Sequence, residues 1–202
     1  AYVSTKIALG YTLDEIKLAN TPACFEPALD YVVTKLARFP FDKFTDADKN
    51  LSTQMKATGE VMSVGTNFEE SFLKAFRSLE NDYEYLDYNK DCSMESLLEI
   101  IKYPDDLRLP AIAEAIRKKI DLKRIFVLSK IDPWFLEQIK EIVDNETKIK
   151  NKGLPKDYNE FNRIKSIGFS DKKLSELTPS FISPISILKS ILPLRVDMIS
   201  PV

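Results

Sequence analysis

The sequence predicts an α+β fold, with strands confined to its first 80 residues and helices thereafter. Three observations carry this. Tyr31-Val32-Val33-Thr34-Lys35-Leu36 is a run of β-branched and aromatic residues. Glu60-Val61-Met62-Ser63-Val64 lies between Gly59 and Gly65, so the two runs can pair through a long connection. From Ser93 onward the strand signals give way to apolar stripes at helical spacing, each behind a start signal.

In chain order, Ala1 to Leu9 reads as the end of a helix that Gly10 terminates. Starting inside a helix, with no cap ahead of Ala1, points to a piece cut from a longer chain. Thr12 and Glu15 have capping-box spacing and predict a short helix to about Leu18. Prolines at 22 and 27 make the next stretch a loop before the first strand, and Phe39 to Phe44 is apolar and irregular. After the second strand, Asn67 and Glu70 form another cap-like pair, and Phe72, Phe76 and Leu79 recur along a helix to about Glu80.

Asn81 to Asp91 is polar and tyrosine-rich, the composition of an exposed connection, and a domain boundary is placed there. Ser93 caps a helix carrying Met94, Leu97, Leu98 and Ile101, which Tyr103-Pro104 stops. Pro110 opens the next, with Ile112, Ile116 and Ile120 on one face, and Asp121 caps a third with Ile125, Phe126 and Leu128. Asp132-Pro133, a cap followed by proline at the first helical position, predicts a long helix with Phe135, Ile139, Ile142 and Val143 as its stripe. Past Gly153 two shorter helices follow, near Asn159 to Ser166 and Lys172 to Leu177, the second capped by Ser170 or Asp171. No element is read from Thr178 onward. Residues 90 to 177 are expected to fold by themselves and to self-associate.

Composition narrows the function. At 202 residues and 44% hydrophobic content the chain can bury a core. Its 29 basic and 31 acidic residues, net -2, give no electrostatic footprint for nucleic acid or an anionic membrane. Without histidine there is no Ser-His or Cys-His pair and no histidine metal ligation. Five glycines form neither GxGxxG nor a P-loop. Cys24 and Cys92 lack metal-ligand spacing and read as packing residues in a reduced, cytoplasmic setting. No apolar run approaches the ~18 residues of a membrane span.

Pro22-Ala23-Cys24-Phe25-Glu26-Pro27, Asp30 to Lys35, and Arg38-Phe39 resemble the carbamoyl-phosphate synthase large subunit near the end of its first ATP-grasp domain. Thr53-Gln54-Met55-Lys56-Ala57-Thr58-Gly59-Glu60-Val61-Met62 is similar to the family's TQMK-S/T-x-GEVM motif, and Phe68-Glu69-Glu70 opens a helix as it does there. Ile131-Asp132-Pro133-Trp134-Phe135-Leu136-Glu137-Gln138-Ile139 resembles the signature of its oligomerization domain. Gly168-Phe169-Ser170-Asp171 with Leu174 is similar to its GF-x-D-xx-L element, and Arg195-Val196-Asp197 to the K-x-VD at the domain's end. Thr66 and Asn67 follow Gly65 where the family usually has arginine and then threonine or serine, so no role of that arginine is carried over.

The resemblance implies a C-terminal remnant of the carboxyphosphate ATP-grasp domain at 1–80, a linker at 81–92, and an all-α oligomerization domain at 93–202. It implies a parent ligase that makes carbamoyl phosphate from bicarbonate, glutamine-derived ammonia and two ATP, for arginine or pyrimidine biosynthesis. Magnesium-ATP, with manganese and potassium as further candidate ions, would be held by residues upstream of Ala1. No catalytic, cofactor-binding or metal residue is therefore carried onto this chain, and alone it is expected to be inactive. The implied partners are the remainder of the large subunit, a glutaminase small subunit and a second copy, with neither nucleic acid nor membrane.

Leu36 is the candidate for lining the ammonia passage, against an ordinary core role. Lys35, Arg38, Lys56 and Glu60 are candidates for the carboxyphosphate site, against plain ion pairs worth about 0 to 1 kcal/mol. Trp134 is a candidate interface anchor, against helix packing. An independent helical protein-interaction module is the alternative function, and the length of the natural chain would discriminate the two.

Overall fold

The computed structural model describes residues 1–79, 85–88 and 92–178. By compactness one unit is Ala1–Asp30 and a second begins at Tyr31. The linker expected at 81–92 lies mostly outside the described residues, as does the tail with Arg195-Val196-Asp197.

In the first unit, helix α1 (Tyr2–Ala8) stops where expected, with Gly10 at φ 94°. The helix expected from Thr12 is absent. The Thr12 amide and hydroxyl do bond the Glu15 carboxylate, at 2.9 and 3.0 Å, but they close only a turn. The chain then doubles back: the Leu18 amide bonds the Thr21 carbonyl at 2.8 Å and the Ala23 amide the Ile16 carbonyl at 2.8 Å, which uses the groups a helix would need.

In the second unit, β1 (Val32–Arg38) and β2 (Gly59–Gly65) pair antiparallel, from Val32 opposite Gly65 to Arg38 opposite Gly59. Burial alternates along β1, as a strand with one covered face requires. The covering element is α2 (Phe68–Ser78), whose Ser71 hydroxyl lies 2.6 Å from that of Thr34 on β1. A β-carbon on Gly65 would sit 2.7 Å from the Ser71 amide nitrogen, so only glycine lets β2 approach α2 this closely.

The helices start where their caps stand. Asn67 accepts from the Glu70 amide ahead of α2, and Ser93 from Ser96 ahead of α3 (Met94–Lys102). Asp121 does so for α5 (Leu122–Ser129) and Asp132 for α6 (Pro133–Lys152). Asp157 serves α7 (Tyr158–Ser166) and Ser170 serves α8 (Asp171–Leu177). Helix α4 (Arg108–Arg117) begins two residues before Pro110, which its first turn tolerates because an amide there has no helical partner. It ends before Ile120, where Lys119 turns left-handed at φ 61°.

One apolar core joins α2 to the later helices, through Phe72, Leu73, Phe76, Leu97, Ile112, Ile125, Ile139, Ile142 and Phe169. The stripe of α6 is corrected by one residue, since Leu136 is buried and Phe135 is turned out onto Phe68 and Trp134. The connection read as exposed is also corrected: Tyr85 and Leu86 within it are fully buried. Among the described residues no helix is long and apolar enough to cross a membrane.

Candidate functional site

The densest polar arrangement surrounds Tyr85 to Asp87, where α2, α4, α6 and α8 converge. Burying a tyrosine requires a partner for its hydroxyl. The Tyr85 hydroxyl has two, accepting from the Ser170 amide at 2.9 Å and from the Arg77 guanidinium at 3.1 Å. The Lys173 ammonium lies 5.1 Å from the centre of the Tyr85 ring and donates to both Asp87 carboxylate oxygens at 2.6 Å.

Arg117 carries the other side. Its guanidinium bonds Glu146 Oε2 at 2.8 Å and the Leu86 carbonyl at 2.9 Å, with Glu114 at 3.5 Å and Asp87 at 3.9 Å. Burial pulls the Arg117 pKa down, but Glu146, joined by Asp87 and Glu114, more than reverses this and raises it. Each cation here faces a carboxylate, a carbonyl or a ring. Such an arrangement pins the Tyr85 segment against four helices, with its carboxylates turned onto Arg117 and Lys173. Among the described residues no group of three or more His, Cys, Asp or Glu could hold a metal ion.

Of the residues singled out in the sequence, Lys35 and Glu60 meet, and the others do not gather around them. Lys35 pairs with Glu60 across the strands at 2.8 Å, both well exposed. Arg38 bonds Asp42 at 2.8 Å and the Phe39 carbonyl at 2.7 Å. Lys56 clips its own loop, reaching Asp48 Oδ2 at 2.8 Å and the carbonyls of Asp48 and Asn50 at 2.9 and 2.6 Å. Leu36 is part-buried opposite Val61 and packs against the apolar core. Trp134 is half exposed, its ring 5.4 Å from that of Phe68.

Sequence reasoning missed Tyr85, Asp87, Arg117, Glu146 and Lys173. Arg117 and Glu146 stand 29 residues apart, and Lys173 and Asp87 stand 86 apart, so no local spacing announces either pair. The second notable feature is apolar surface. On the sheet face away from α2, Val33, Met62 and Val64 are 46%, 69% and 49% exposed.

Residues 60–188 match the family described as carbamoyl-phosphate synthetase large chain, oligomerisation domain. The chain is 48% identical over 183 residues to a carbamoyl phosphate synthase large chain of Clostridium beijerinckii, covering 88% of this chain and 17% of that protein. It is 47% identical over 192 residues to one of Methanosarcina barkeri, covering 94% of this chain and 18% of the relative. One of Caldanaerobacter subterraneus is 47% identical over 182 residues, covering 88% and 17%. Thus the chain spans between a sixth and a fifth of the length of these curated relatives. The pinned core from α2 to α8 falls within the matched range, and the chain belongs to the carbamoyl-phosphate synthase large-chain family through its oligomerisation domain.

Proposed function

We propose that this chain is a structural and self-associating part of a glutamine-dependent carbamoyl-phosphate synthase large subunit, inactive alone. Residues 1–80 close the ATP-grasp domain that forms carboxyphosphate, and the helices after residue 92 form the oligomerization part. The observation that carries this reading is the β1–β2 pair. It keeps one face on α2 and leaves Val33, Met62 and Val64 open on the other, as two strands of a wider sheet would. In the cytoplasmic parent, ATP activates bicarbonate, ammonia from the glutaminase subunit gives carbamate, and a second ATP phosphorylates it. Magnesium-ATP is bound outside this segment, whose share is to hold the parent's parts in place.

Two measurements test the reading. Calorimetric titration of the chain with magnesium-ATP should give no saturable heat, and sedimentation should show a mass that rises with concentration. Micromolar ATP binding would place a nucleotide site here and overturn the division of labour. A strictly monomeric chain at high concentration would remove the self-association role.

A further inference from the structure

The C-terminal half of α6, the turn at Gly153 to Pro155 and α7 form a cleft of ≈ 310 Å³. Its floor is apolar: Ile149 and Ile167 are buried, and Leu154 and Ile164 pack against the core. Its rim is cationic, with Lys148 and Lys152 one turn apart on α6 and Arg163 on α7. Among the described residues none of the three stands in an ion pair, in contrast to Arg117, Lys165 and Lys173 nearby in the fold. Within the lining three cations face one carboxylate, Glu160; Lys148 and Arg163 also border a neighbouring cleft that carries Glu137, Lys140, Glu141 and Asp144, so the excess of positive charge is confined to the rim itself.

We propose that this cleft binds small anions that carry an apolar body, such as an aromatic or aliphatic sulfonate, carboxylate or phosphate. A bare inorganic anion would leave the floor wet and would meet cations that water already solvates well. A neutral apolar molecule would forgo the rim. Only a ligand with both parts uses the whole cleft, whose size lies at the small end of ligand pockets, which run from roughly 300 Å³ upward.

The test is a fluorescence titration of the chain at low ionic strength with anilinonaphthalene sulfonate, which joins an aromatic body to one negative charge. Phenylnaphthylamine, the same body without the charge, and inorganic phosphate serve as comparison probes. Saturable single-site binding of the sulfonate is expected, with both comparison probes at least about tenfold weaker. Lys148→Gln and Arg163→Gln should each weaken it about fivefold, the factor that one water-screened charge at ~4 Å supplies, and added salt should do likewise. Lys123→Gln, an exposed position outside the cleft, should change nothing. All three positions are exposed, so circular dichroism should find each variant folded. Non-saturating binding, equal affinity for the uncharged probe, or unchanged affinity in the Lys148→Gln/Arg163→Gln double variant would overturn the proposal.

Discussion

Replacing Arg117 by methionine removes the cation from a largely enclosed ion pair while keeping the apolar stem. Glu146 is the partner at risk. Its side chain is 7% exposed, Oε2 depends on Arg117, and Oε1 is already buried without a hydrogen bond. Stripping one partner from a buried pair typically costs about 3 to 5 kcal/mol, because the other charge stays buried and uncompensated. The Arg117 side chain is 24% exposed, which places the loss at the low end, near 3 kcal/mol. Urea denaturation followed by circular dichroism reads this directly. Arg117→Met/Glu146→Met, which removes both charges, should recover most of the loss. A deficit under about 1 kcal/mol, or a double variant no better than the single, would refute the reasoning.

Gly168→Ala should destabilise by about 1 to 3 kcal/mol in the same assay, because φ is +105° and the new β-carbon would lie 3.0 Å from Glu70 Cα, a backbone atom that cannot swing aside. Glu70→Gln tests a carboxylate that the Lys74 ammonium, helped by the Thr66 amide and hydroxyl, holds below the usual range against the opposing pull of burial. That contribution is present above the unfolded pKa and lost as pH falls through the depressed folded one. The variant should thus lag by about 0.5 to 1 kcal/mol at pH 7 and draw level in acid. Asp132→Ala removes the cap that accepts from the Trp134 amide at 2.8 Å and should lower stability by about 1 kcal/mol, read as a lower melting temperature.

Most helix starts were legible because a cap acts on amides two or three residues away. Asn67, Ser93, Asp121, Asp132 and Ser170 all stand in sequence beside the groups they bond. Thr12 and Glu15 show the limit of that logic: the Thr12 amide and hydroxyl donate to the Glu15 carboxylate, instead of the threonine oxygen accepting from an amide, and the chain leaves for the contact between Lys17 and Pro22. The ion pairs of Lys35, Arg38 and Lys56 were likewise readable as the plainer of two alternatives. Tyr85 and Leu86 were not, because their neighbours in sequence are polar while Arg77, Arg117 and Ser170 arrive from other helices. Burial of a short apolar pair inside a polar stretch is a tertiary fact that no periodicity announces.

The burial of Tyr85 and Leu86 bears against the expectation that residues 90 to 177 fold by themselves. The core of α3 to α8 is closed by Phe72, Leu73 and Phe76 of α2 and by Tyr85 and Leu86, all at most 5% exposed. Burying a large apolar side chain is worth about 1.5 to 3 kcal/mol. Losing five such groups would forfeit on the order of 10 kcal/mol, comparable to the whole 5 to 15 kcal/mol stability of a domain. The Tyr85 hydroxyl contacts of α8 and the Leu86 carbonyl contact of Arg117 go with them. A chain of residues 93–178 is therefore expected to keep some helix but melt without cooperativity, whereas one of residues 31–178, which retains α2 and its sheet, should melt in a single transition. The calorimetric enthalpy of the two chains separates the outcomes. A sharp, full-enthalpy transition in the shorter one would show that α2 and Tyr85 sit on a core already complete without them.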